Sequence, residues 1–217
     1  MRIVLLGLAG AGKGTQALML AERLDASYVS SGDLFRHHQA EGTELGMLAK
    51  GYMERGDLVP DEVTIRMVLD WIGEEMGRES FILDGFPRTL EQAKALDRAL
   101  GQEGIDHVYY IKVSGEELVR RLSGRVNCRQ CGRPFQKDSL DSESTTRCSA
   151  CGGELYQRPD DQPQAVRCRL QVQEPGLTEL IDYYTGQGKL VEINGEQSVE
   201  DVGRETWETL RQYVPSR

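Results

Sequence analysis

Three sets of residues in this sequence have the types and spacing to do chemistry. The first is Gly7-Leu8-Ala9-Gly10-Ala11-Gly12-Lys13-Gly14-Thr15. Glycines let successive backbone N–H groups converge on an anion without side-chain clash. A helix opening at Lys13 adds free N–H groups and a positive dipole end. Lys13 supplies a mobile charge for the β- and γ-phosphates of a nucleotide, and Thr15 a hydroxyl for Mg²⁺. The general phosphate-loop pattern has Ser or Thr directly after the lysine, and here Gly14 intervenes. The dinucleotide pattern G-x-G-x-x-G fails, because Thr15 stands where its third glycine belongs.

The second set is Asp84-Gly85-Phe86-Pro87-Arg88-Thr89 with Gln92. A carboxylate at Asp84 can hold Mg²⁺ through water. Gly85 allows close backbone approach, Pro87 stiffens the turn, and Arg88 presents a planar fork to phosphate. A cation at a helix start is repelled by the helix dipole, and an anion between the two removes that conflict. Thr89-x-x-Gln92 also fits a capping box, a purely structural account of both residues. The third set is Cys128-x2-Cys131 and, 16 residues on, Cys148-x2-Cys151. Two such knuckles give four thiolates for a tetrahedral metal, with no open coordination position and hence a structural role. Zinc suits them best, although iron and cobalt share the spacing. Cys168 lies outside this set as a helix residue.

These sets need elements to position them. Ile3–Leu6, Tyr28-Val29, Phe81–Leu83, Val108–Val113 and Leu190–Ile193 read as short strands. Continuous apolar runs of this kind suit strands buried on both faces of a parallel sheet. Helical patterns lie between them at Lys13–Leu24, Asp61–Met76, Thr89–Leu100, Gly115–Leu122, Gln164–Gln173, Gly176–Thr185 and Val199–Tyr213. Pro175 should separate the fifth and sixth of these, since proline cannot continue a helix without losing a hydrogen bond. The alternation predicts an α/β fold with a five-stranded parallel sheet and helices on both faces. Asp84 then falls at the C-terminal edge, where open α/β sheets bind ligands. Two stretches break the rhythm: residues 30–59 read as two short helices, and 125–162 hold the four paired cysteines. Both are expected as insertions on a core of 1–29, 60–124 and 163–217.

Composition narrows the partners. The chain has 217 residues and a net charge of −9, long enough for a real core and too acidic for a general polyanion binder. Segment 125–162 has six basic and six acidic residues, which gives a nucleic acid no cationic face. Apolar runs fall far short of the ~20 residues a membrane helix needs, and Met1-Arg2-Ile3-Val4 runs straight into a strand-like segment with no h-region or small-residue cleavage site, so no signal peptide is expected. We expect a cytoplasmic protein, and therefore metal ligation for the cysteines over disulfides.

The GxxGxGKGT loop resembles that of the nucleoside monophosphate kinases, and roughly residues 1–200 are similar to the adenylate kinases. Ser30-Ser31-Gly32-Asp33-Leu34-Phe35-Arg36 and Gly56-Asp57-Leu58-Val59-Pro60-Asp61 resemble the two ends of that family's monophosphate-binding insertion. Asp84–Thr89 with Gln92 is similar to its signature. Arg125, Arg158-Pro159-Asp160-Asp161 and Arg169 are similar to its lid. The resemblance implies transfer of a phosphoryl group from MgATP to AMP, giving two ADP. It implies that Gly10, Ala11, Gly12, Lys13, Gly14, Thr15, Arg121, Arg125, Pro134, Phe135 and Gln197 hold ATP. It places AMP at Ser31, Arg36, Asp57, Leu58, Val59, Gly85, Phe86, Pro87, Arg88, Gln92, Arg158 and Arg169, with Gln92 reading adenine. Catalysis falls to Lys13, Asp84, Arg88, Arg121, Arg125, Arg158 and Arg169, in a chain that works as a monomer. Arg120 competes with Arg121 for its part, and Ser31 is equally a helix N-cap. A phosphate acceptor is already anionic at pH 7, so no general base is needed. Ala9, Ser31, Asp57 and Pro159 depart from the commonest pattern, where Pro, Thr, Lys and Lys or Ala are frequent. The alternatives are a kinase for UMP, CMP or GMP, and a zinc-ribbon ATP-binding protein without turnover.

Overall fold

The computed structural model describes residues 1–213 except 56, 75–79, 103, 141–145 and 159–160. Gly56, Pro159, Asp160 and the end of the helix expected to reach Met76 therefore lie outside the described residues. In chain order, Arg2–Leu6 (β1), Lys13–Leu24 (α1), Ser27–Ser30 (β2), Ser31–Ala40 (α2) and Glu44–Arg55 (α3) come first. Asp61–Glu74 (α4), Phe81–Asp84 (β3), Leu90–Leu100 (α5), His107–Lys112 (β4) and Gly115–Ser123 (α6) follow. Arg125–Cys128 (β5), Pro134–Gln136 (β6) and Leu155–Tyr156 (β7) precede Pro163–Gly186 (α7), Leu190–Asn194 (β8) and Val199–Leu210 (α8).

The five long-range strands form one parallel sheet in the order β2-β3-β1-β4-β8. Every residue from Ile3 to Leu6 is buried, because both faces of β1 are covered. Alternation divides them: Val4 and Leu6 pack with Val29, Leu83, Val108, Leu96 and Leu180 on one face. Ile3 and Leu5 pack with Ile82, Tyr109, Ala17 and Val202 on the other, under α1 and α8. Leu5 of β1 pairs with Asp84 of β3, so the glycine loop and Asp84 leave neighbouring strands side by side.

Two expectations change. α7 runs unbroken through Pro175 for 24 residues, where two helices were expected. Proline's missing N–H there is outweighed by burial of Val166 on one side of it and Leu177, Leu180 and Tyr184 on the other. Gly176 lies so close to Arg88 that a Cβ would come within 2.4 Å of the Arg88 carbonyl oxygen, fixing α7 against the loop after β3. Segment 125–162 also contains regular structure of its own, a three-stranded antiparallel sheet in the order β6-β5-β7. Strands of two to four residues leave too little periodicity to be read from sequence.

Candidate active site

A cleft of about 780 Å³ lies over the C-terminal ends of β1 and β3. Its floor is the glycine loop. α1 opens at Lys13 with Gly12 as a left-handed N-cap (φ 95°) and no side-chain cap, so its first N–H groups are donors that an anion can take. Lys13 Nζ donates to the Leu8 carbonyl at 3.0 Å and stands 3.9 Å from the Asp84 carboxylate. Burial pulls the Lys13 ammonium down to about 8; Asp84 opposes this, while Arg88, Arg169 and Arg125 push it further down. That crowd of cations is what a polyphosphate relieves. Asp84 Oδ2 lies 3.4 Å from the Tyr28 hydroxyl, and Thr15 lines the same corner. An oxygen-donor set of a carboxylate and a hydroxyl fits Mg²⁺ carried in on phosphates.

The second corner is built on the turn after β3. Gly85 adopts φ 71°, and a Cβ there would come within 2.8 Å of Arg88 Nη2 and 3.0 Å of Ser31 Oγ. Its carbonyl accepts from Ser31 Oγ at 2.6 Å and from Arg88 Nε at 2.7 Å. The turn contains a cis Phe86–Pro87 bond. Thr89 caps α5, its hydroxyl accepting from the Gln92 N–H at 3.2 Å, so the capping geometry is real. The reciprocal bond is displaced by one residue: Gln92 Oε1 accepts from the Arg88 N–H at 2.7 Å. Gln92 Nε2 donates to Asp61 at 2.7 Å, and Thr89 Oγ1 donates to the other oxygen of the same carboxylate at 2.7 Å. Each end of the Gln92 amide keeps one hydrogen or lone pair for a ligand. The structural and functional accounts of Thr89 and Gln92 therefore coexist.

Arginines from four elements converge here. Arg36 pairs with Asp33 (Nε at 3.1 Å), and Arg158 reaches the same carboxylate at 4.0 Å from the opposite wall. Arg125 makes a bidentate pair with buried Asp161, at 2.8 and 2.5 Å. Arg121 is held by Glu117 and the Gly195 carbonyl and lines the cleft, whereas Arg120 is mostly exposed on the far side of Glu117. Glu117 is drawn down to about 2 by hydrogen bonds from Arg120 and Arg121, so it stays ionised as their anchor. Asp57, Leu58, Val59, Pro87, Pro134 and Arg169 also line the cleft, together with Gly10 and Gly14. Four expected residues stand apart. Phe86 is packed in the core. Ala11 is buried against Ile111 and Leu118, its N–H donating to Leu8. Phe135 pairs with Val126 across the small sheet. Gln197 donates to Asn194 and Glu205. Sequence reasoning gave no role to Asp33, Asp61 or Asp161, which lay inside quoted motifs, nor to Tyr28 and Asn127, which carried no signal.

The sulfurs of Cys128, Cys131, Cys148 and Cys151 all lie within 4.8 Å of one another, as four ligands about 2.3 Å from a shared zinc must. Backbone N–H groups of Gln130 and Cys131 point at Cys128 Sγ, and that of Ala150 at Cys148 Sγ. These donors favour thiolate: the N–H of Cys131 leads in lowering Cys128 to about 6. An all-sulfur, closed set of this kind is a structural zinc site.

The fold and cleft define a P-loop phosphotransferase with a second anion pocket facing the first. Comparison with known proteins sharpens this. A family model described as adenylate kinase matches residues 5–189. The chain is 46% identical over 215 residues to the adenylate kinase of Salinispora tropica, covering 98% of this chain and 99% of that one. It is 48% identical over 202 residues to that of Dehalococcoides mccartyi (92% and 93%) and 44% over 212 to that of Caldicellulosiruptor bescii (97% and 99%). The chain belongs to the adenylate kinase family.

Proposed function

We propose that this chain transfers the γ-phosphoryl group of MgATP reversibly to AMP, giving two ADP. An anionic oxygen of the AMP phosphate bonds to the γ-phosphorus as the bond to the β–γ bridging oxygen breaks, and ADP leaves. The observation that carries this reading is two facing phosphate corners in one cleft, Lys13 with the α1 N-terminus and Arg88 with Arg36, with Gln92 beyond the second. Asp84 and Thr15 are the residues that would hold Mg²⁺, which would supply charge neutralisation at the donor phosphates. Lys13 binds the donor's terminal phosphates, Arg88 and Arg36 orient the acceptor, and Arg121, Arg125, Arg158 and Arg169 take the spreading charge. We assign as nucleotide contacts those expected residues that line the cleft, and treat 30–59 and 125–162 as covers that exclude water when both substrates are present. No described helix is long and apolar enough to cross a membrane; a cytoplasmic monomer is the reading we adopt.

A second acceptor class is kept in view by Ser31 and Asp57, which depart from the commonest family pattern. Gln92 favours adenine, because its remaining donor and acceptor match N1 and N6. Steady-state turnover with AMP, GMP, CMP, UMP and dTMP as acceptors tests the assignment. AMP should be the best acceptor by a wide margin; fast turnover confined to another base sinks it. No ADP from ATP plus AMP in zinc-loaded protein with Mg²⁺ would return the non-catalytic alternative.

A further inference from the structure

Asn127 is a buried polar residue that the reaction above leaves without a part. It is 1% exposed, and among the described residues neither its Oδ1 nor its Nδ2 has a hydrogen-bond partner. It lines the cleft. Residues two apart on a strand share a face, so Asn127 of β5 stands beside Arg125 on the same side. Across the small sheet it lies opposite Pro134, a cleft residue with no N–H to offer. A buried amide with both groups unpaired carries the full desolvation cost of each. Such a group on a cavity wall is complementary to a ligand that presents an acceptor and a donor side by side.

Phosphate oxygens at neutral pH only accept, and would leave Oδ1 unpaired. The N7 and N6-amino edge of adenine satisfies both ends of an asparagine amide at once. Guanine offers two acceptors, N7 and O6, on that edge, and would set O6 against Oδ1. We propose that Asn127 reads the N6/N7 edge of the donor nucleotide's base, the donor-side counterpart of Gln92. This inference rests on ATP as phosphoryl donor, so its test separates the two.

Isothermal titration of zinc-loaded wild type and Asn127→Leu with ATP, 7-deaza-ATP, 2′-deoxy-ATP and GTP reads the contact directly. Leucine is close in size to asparagine and removes both orphan groups; melting temperature and zinc content are measured alongside, and Asn127→Ala is used if the leucine variant does not fold. We expect ATP to bind wild type roughly 10-fold more tightly than 7-deaza-ATP, and the variant to lose that preference and about the same factor for ATP. The preference for ATP over GTP should shrink, with the loss of turnover concentrated in KM for ATP and not in KM for AMP. An equal 7-deaza penalty in both proteins, with turnover intact, overturns the role of Asn127 alone. A penalty that shifts to 2′-deoxy-ATP assigns the amide to ribose and overturns the base contact. Wild type that binds no ATP overturns both this inference and the donor assignment.

Discussion

At the residue scale, Asp61 fixes the chemistry of Gln92. Its two carboxylate oxygens accept from Gln92 Nε2 and Thr89 Oγ1 at 2.7 Å each. That orients the amide, since an acid can bond the NH₂ end but not the oxygen. Asp61→Ala should therefore raise KM for AMP by roughly 10-fold, with a narrower margin of AMP over GMP, because one oriented hydrogen bond carries about that factor. Unchanged base discrimination in this variant would separate Asp61 from recognition. Lys13 supplies a second prediction. Its ammonium is held at about 8, chiefly by burial. Phosphate binding favours the charged form, so the bound value rises and ATP binding takes up a proton above about pH 8. Affinity for ATP should fall as pH climbs beyond that value, with buffer-dependent binding heats reporting the proton; flat affinity up to pH 9.5 would contradict the assignment. The sign for folding is opposite: the unfolded lysine holds its proton to higher pH, so this group's cost to stability diminishes as pH rises from about 8 towards its ordinary value.

At the scale of elements, the small sheet β6-β5-β7 carries two functions on strands of four residues or fewer. Arg125 and Asn127 face the cleft from β5, and Cys128 ends the same strand as a metal ligand. So little apolar surface cannot hold such a sheet together, and the metal does that work. Cys148→Ser should lower the melting temperature and the zinc content while part of the activity remains, because the closed thiolate set touches no substrate. Complete loss of turnover in a variant that still folds and binds ATP would show that the site is more than a staple. α7 teaches a complementary lesson. Its proline was a sound reason to expect two helices, and burial of Leu177, Leu180 and Tyr184 overrode it. Local propensity is a weak prior wherever one face of an element is fully packed.

At the scale of the whole molecule, a chain of net charge −9 directs Lys13 and six arginines, at 36, 88, 121, 125, 158 and 169, into one cleft. Acids hold several of them in place: Asp33 takes Arg36 and Arg158, Asp161 takes Arg125, and Glu117 takes Arg121. Two nucleotides add several negative charges to this field, and binding to the folded state alone stabilises it. A bisubstrate ATP–AMP analogue at 100 times its Kd should add about 2.7 kcal/mol. In a domain of this length that is a rise in melting temperature of roughly 5–10 °C, measurable by calorimetry. ATP or AMP alone, at the same multiple of Kd, should give no more. At one fixed ligand concentration the analogue should raise the melting temperature further than ATP or AMP alone, and a rise no larger than either of theirs would argue against a joint site. The sequence by itself determined the glycine loop, the Asp84–Arg88 turn, the five strands and the four cysteine ligands. Each of these is written in residue types at fixed short spacing, and short-range geometry is what spacing encodes. Only the tertiary structure decided that Asp61 orients Gln92, that Arg121 and not Arg120 enters the cleft, and that Phe86 and Gln197 turn elsewhere. It likewise decided that α7 continues through Pro175 and that Asn127 is buried on the cavity wall. Most of those outcomes depend on side chains that meet from distant parts of the chain, as Asp61 and Gln92 do 31 residues apart, and packing of separate elements sets them, whereas Gln197 is turned by its near neighbours Asn194 and Glu205.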